Sequence, residues 1–171
     1  MDNILPWTLS ILETTPERWT QLAQSTPDEL MRRPAAAGQW SALECLHHLV
    51  AIEGVFNSRL NAFVQGLAEF PAYDPDSPEN QPDASVTPGQ LAQEFARQRA
   101  ASLPALKKLG QADLQRSSRH AHLGPVTLEQ MVHEWAAHDL NHTVQAERAL
   151  MQPFIQGSGP WQQYFPDPVV A

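Results

Sequence analysis

The chain has 171 residues, a mass of 19.0 kDa, 42% hydrophobic and 18% charged residues, a composition that excludes a charged disordered chain and is long enough for one core. A formal net charge of -8 repels phosphate backbones and anionic lipid, so nucleic acid and membrane surfaces are not expected as partners. The lone Cys45 excludes an internal disulfide framework and a cysteine-rich zinc ribbon.

The start, Met1 to Trp7, has neither a basic region nor an uninterrupted apolar run, and no stretch approaches the roughly 18 apolar residues of a membrane span. A cytoplasmic location is expected. Thr15-Pro16-Glu17 and Thr26-Pro27-Asp28-Glu29 each place a hydroxyl before a proline and then acids, which predicts two short helix starts. Arg33 to Gly38 breaks the pattern. Ser41-Ala42-Leu43-Glu44 is a capping box and opens a long helix to about Gly66.

Pro71 to Gly89 is rich in Pro, Asp, Asn and Ser and reads as a long crossover connection. Thr87-Pro88 starts a third helix toward Gly110, carrying Leu91, Phe95, Leu103, Leu106 and Leu109, with Pro104 expected to kink it or end it early. Gly124-Pro125 closes the next loop. Thr127-Leu128-Glu129-Gln130 is a second capping box, and its helix is expected to last to about Met151, before Pro153. The tail 154–171 is expected to lack regular structure. With no alternating runs, no internal repeat and no glycine-rich phosphate loop, the fold class is all-α: a single domain over 1–171, core about 15–151, built as a four-helix bundle with a long crossover.

Seven histidines invite a test of where each points. At about 100° per residue, Leu128, Met131, Val132, Trp135, Ala146, Ala149 and Leu150 form one stripe of the last helix, with His138 and His142 in its middle and His133 opposite. Imidazoles one turn apart can address one ion, and they are costly to desolvate unless something uses their nitrogens. On the helix after Ser41, the face of Cys45, Leu49, Ile52, Phe56, Leu60, Phe63 and Leu67 has His48 on its flank, while His47 points away. Three inward imidazoles suit Zn, Ni, Cu or Fe and leave a coordination position open. The alternative is a bundle core in which His138 and His142 hydrogen-bond each other, a water or a carbonyl.

Other residues carry expectations too. Cys45 reads as a small buried hydrophobe; Glu53 as part of a solvated face and Glu44 as a cap; Trp40 and Trp135 as packing groups. Arg59 returns to within about 20° of His48 on the projection and is open between meeting a substrate anion and snorkelling to the bundle end. Asp139 borders the stripe and is a candidate to orient an imidazole. Leu140 and Val144 lie behind the last helix and suit a partner helix, which leads to the expectation of a homodimer.

Gln39-Trp40-Ser41-Ala42-Leu43-Glu44-Cys45-Leu46-His47-His48-Leu49, the helix of Arg97 and Arg99, Gly124-Pro125-Val126-Thr127-Leu128 and Ala137-His138-Asp139-Leu140-Asn141-His142-Thr143-Val144-Gln145 together resemble the DinB-like superfamily, from about Thr15 to Met151. The resemblance implies a four-helix bundle with unusual long-crossover connectivity. It also implies a divalent metal, zinc or nickel, held by His48, His138 and His142. Characterised relatives of this kind include transferases and isomerases that use low-molecular-weight thiols such as bacillithiol or mycothiol. The implied function is therefore a metal-dependent thiol S-transferase acting on small electrophiles; the alternative is a non-catalytic metal- or ligand-binding stress-response module.

Overall fold

The computed structural model describes residues 4–74, 83 and 85–165. Four long helices carry the fold: α1 (Ile4–Ser25), α3 (Ala42–Gln65), α4 (Pro88–Leu106) and α5 (Leu128–Gly157), with the single turn α2 (Asp28–Met31) between the first two. Around the bundle the order is α1, α4, α3, α5, because α1 and α3 each pack against both α4 and α5. The consecutive long helices α1 and α3 therefore face each other across the diagonal. Leu12, Trp19, Leu46, Leu49, Phe56, Phe63, Phe95 and Trp135 fill the space between them.

The capping boxes form as the sequence predicts. Ser41 Oγ accepts from the Glu44 amide at 3.3 Å while the Glu44 carboxylate accepts from the Ser41 amide at 2.7 Å, and Thr87/Gln90 and Thr127/Gln130 repeat the arrangement. Gly66, in the left-handed conformation at φ 69°, ends α3 where a side chain would be strained. Helix α4 stops at Leu106, two residues beyond Pro104.

Two prolines behave differently from expectation. The first helix does not start at Thr15: it runs from Ile4 straight through Pro16. Thr15 Oγ1 donates to the Ile11 carbonyl at 2.7 Å, one turn back, and so caps nothing. Leu5, Thr8, Leu12, Thr15, Pro16 and Trp19 are buried at helical spacing, so packing holds a helix that the proline alone would interrupt. Likewise α5 continues past Met151 and through Pro153 to Gly157, with Gln152 and Ile155 buried, and a 3-10 turn follows at Gly159–Tyr164. The described part of the tail is thus largely helical; residues 166–171 lie outside the described residues, as do 75–82 and 84 of the long connection.

A second correction concerns strands. A small sheet of order β1-β2-β3 joins β1 (Glu69–Phe70), β2 (Ser117–His120) and β3 (Gly124–Thr127), parallel in the first pair and antiparallel in the second. The Arg116 guanidinium donates to the Val64 carbonyl at 2.7 Å and the Ser118 hydroxyl to the Leu67 carbonyl at 2.9 Å, which fasten the sheet to the end of α3. The fold remains mostly helical, with the sheet capping one flank between α3 and α5. Among the described residues, no helix is long and apolar enough to cross a membrane.

Candidate metal centre

Two polar clusters are buried in the bundle. The first is built around Arg99 of α4. Its guanidinium donates to both carboxylate oxygens of Glu53 (3.0 and 2.9 Å) and both of Asp139 (2.8 and 3.0 Å). A fifth contact, at 2.9 Å, goes to the carbonyl of Leu12. That carbonyl lies four residues before Pro16, whose missing N–H cannot claim it, so Arg99 takes the place of a helical hydrogen bond. Ser102 Oγ and Trp135 Nε1 donate to Glu53 at 2.6 and 3.3 Å. One side chain thereby ties all four long helices.

This cluster corrects two expectations. Glu53 is fully buried and not on a solvated face, because the guanidinium, a hydroxyl and an indole replace its water. The Asp139 carboxylate turns toward Arg99 and the Thr15 hydroxyl and does not orient an imidazole; burial raises its carboxyl, against the pull of Arg99.

In the second cluster α3 and α5 bring His48, His138 and His142 together, with one ligand-capable nitrogen from each lying within 4.8 Å of the others. Nε2 of His48 and Nε2 of His138 are 3.0 Å apart, the separation at which two donors can share one ion or one proton. It is this pair, and not His138 with His142, that makes the direct contact. Nδ1 of His142 donates to Oε1 of Gln145 at 2.8 Å, which fixes its tautomer and leaves the Nε2 lone pair free. Trp40 lies 5.6 Å from His142, stacked, and 5.1 Å from His48; Phe56 meets His138 edge-on at 5.6 Å. Burial first, and neighbouring imidazoles second, hold His48 down to about 4 and His138 to about 3, and burial also lowers His142. All three are therefore neutral near pH 7, the form that ligates metals. The unpartnered His138 Nδ1 and the all-imidazole donor set fit a divalent ion of the borderline class.

His133 is exposed and His47 half-buried away from the cluster, as the helical projection predicts. Cys45 is fully buried, and burial pushes its thiol up to about 12, so it is a protonated packing group. The imidazoles open into a cavity of about 350 Å³ whose other walls include Trp40, Tyr73, Arg59, His120 and Glu134. Arg59 belongs to this wall and does not snorkel to the bundle end. Sequence alone does not assign His120, Tyr73 or Glu134 to the site: His120 enters on β2, and Glu134 lies one helical turn before His138 on α5.

The family model of the DinB superfamily matches residues 11–146. Among solved structures the chain is similar to YfiT from Bacillus subtilis, described as a probable metal-dependent hydrolase with an unusual four-helix bundle topology. The identity is 17% over 90% of this chain and 89% of that one, with a TM-score of 0.74. A DinB-like protein from Bacillus subtilis, YjoA, is similar at 16% identity over 86% of this chain and 92% of that one, with a TM-score of 0.58. A comparison with curated proteins found no match. At these identities the two structures speak for the fold, and the family match, spanning most of the residues that build the bundle and the imidazole cluster, makes the chain a member of the DinB superfamily.

Proposed function

We propose that His48, His138 and His142 hold a divalent metal ion, zinc or nickel, and that the protein is a metal-dependent S-transferase joining a low-molecular-weight thiol, of the bacillithiol or mycothiol kind, to small electrophiles. The observation that carries this reading is the convergence of three neutral imidazoles at the wall of a ligand-sized cavity, since three protein ligands leave room for a fourth from solution. Bound there, a divalent ion supplies Lewis acidity that lowers the pKa of a thiol or water beside it.

The chain's own groups support an external nucleophile. Cys45 keeps its proton and packs in the core, and among the described residues no serine or cysteine lines the cavity. Glu134, whose carboxyl burial holds above its usual range, lines the cavity and is suited to accept a proton at its carboxylate from an incoming thiol. Trp40 and Tyr73 stand against the His48 ring, with centroids at 5.1 and 6.2 Å, and would flank a ligand there. Hydrolysis, with water in place of the thiol, is a second reading, favoured by the likeness to YfiT. The exposed Leu140 and Val144 on the back of α5 support a homodimer, which sedimentation velocity tests directly.

The deciding measurement is elemental analysis of tag-free protein beside His48→Ala and His138→Ala, with circular dichroism on each. Near-stoichiometric zinc or nickel in the wild type, lost in both variants while helicity persists, is the expected result. Thiol consumption across an electrophile panel then separates a transferase from a non-catalytic binding module. A wild type that holds no metal after reconstitution overturns the metal reading.

A further inference from the structure

Arg59 is buried like Arg99, at 7% exposure against 1%, but its surroundings differ. Its Nε has no hydrogen-bond partner, and its nearest carboxylate, Glu134, stands 3.8 Å from Nη1, beyond hydrogen-bond distance, on a half-exposed side chain. Its Nη2 lies 3.3 Å from Nε2 of His120. That contact does not satisfy the guanidinium. Nδ1 of His120 accepts from the backbone amides of His122 and Leu123 at 3.1 and 3.3 Å, so its lone pair is in use and the ring proton sits on Nε2. Two N–H donors therefore face each other across 3.3 Å with no acceptor for either. The Tyr73 hydroxyl, on the same cavity wall, is also buried without a partner.

Buried donors are costly when unpaired, and a guanidinium most of all. N–H and O–H groups that line one cavity with no protein acceptor are complementary to an oxyanion brought by a ligand. We infer that Arg59, His120 and Tyr73 form an oxyanion subsite beside the imidazole cluster, which selects small molecules bearing a carboxylate. This rests on the reading of the cavity as the ligand chamber, and it adds the substrate class. Glu134 and the net charge of -8 favour a monoanionic carboxylate over a phosphate dianion. Beyond Arg59 a second cavity of about 340 Å³, sharing Arg59, His120, Leu123 and Glu134 with the first, is walled by Phe70, Pro125, Val126 and Met131. An apolar body attached to the carboxylate fits there.

The test is calorimetric titration of purified protein with phenylacetate, neutral phenylacetamide and phenyl phosphate, with metal content measured on the same samples. Phenylacetate should bind at least about tenfold more tightly than the amide, and Arg59→Gln and Arg59→Met, each checked for a wild-type melting profile, should abolish that preference. Equal binding of acid and amide by the wild type, or a preference that survives both substitutions, overturns the subsite. Tighter binding of phenyl phosphate overturns the carboxylate assignment. His138→Ala separates the two readings: an Arg59-dependent preference that persists there supports the subsite, whereas a preference lost together with the metal puts the anion on the ion and overturns it. A wild type without metal that still shows the Arg59-dependent preference overturns the metal reading alone.

Discussion

The bundle buries two arginines in opposite conditions. Arg99 has two carboxylates, a carbonyl and good geometry at every contact, whereas Arg59 has an orphaned Nε, a histidine that offers a proton where an acceptor is needed and a carboxylate out of hydrogen-bond range. The same asymmetry separates the elements around them. Glu53 and Asp139 are saturated by the chain itself, while His48 and His138 share one short contact and His138 Nδ1 has none. Polar groups satisfied internally fix the fold; those left unsatisfied on the cavity wall can be met by a ligand.

The sharpest way to break this contrast is to remove each arginine in turn. Arg99→Met leaves two buried carboxylates without a counter-charge and should cost about 3–5 kcal/mol in urea denaturation. Arg59→Gln removes a cation whose nearest carboxylate stands beyond hydrogen-bond distance and should change stability by less than about 1 kcal/mol. Similar losses for both variants would erase the distinction.

Acid acts on the second cluster. His48 and His138 are held below their ordinary 6.5 by burial, so above that pH both folded and unfolded chains carry them neutral and their burial has no pH-dependent penalty. As pH falls below 6.5 the unfolded chain takes up protons first, and stability drops on the way to about 4 for His48 and about 3 for His138. Thermal melts of metal-free protein should show a loss on the order of 6 kcal/mol between pH 7 and 4 that is reduced in a His48→Ala, His138→Ala double variant. An unchanged pH profile in that variant would assign the acid sensitivity elsewhere.

The smallest effect concerns Pro16. An interior proline ordinarily costs about 3 kcal/mol in a helix, but Arg99 already occupies the Leu12 carbonyl that Pro16 leaves free. Pro16→Ala should therefore gain less than about 1 kcal/mol in Tm-derived stability; the full value would mean that the guanidinium contact offsets nothing.

These residues also show what a sequence discloses. His48, His138 and His142 were readable because each sits in a long helix whose apolar stripe fixes direction, and the same projection sets Arg59 on the face of His48, about three turns further along. Glu53 was not, since the projection assigns a carboxylate to water and has no knowledge of an arginine arriving from α4. Pro16 and Pro153 were read as boundaries because the local rule ignores the packing that carries a helix past a proline. The strands Ser117–His120 and Gly124–Thr127 are four residues long, without apolar alternation, and their pairing with Glu69–Phe70 is non-local. With them went His120.

That small sheet has a consequence for how the protein can be altered. The imidazoles stand on helices whose positions are locked by the bundle core, but His120, Leu123, Pro125 and Val126 reach the cavities from the sheet and its turn. Arg59 shares α3 with His48, so only the sheet's share of the cavity wall lies on a stretch that carries none of the three imidazoles. Exchange of the turn residues 120–125, between Ser118, which ties the sheet to α3, and Thr127, which caps α5, would alter the cavity wall without touching the helices that carry the imidazoles.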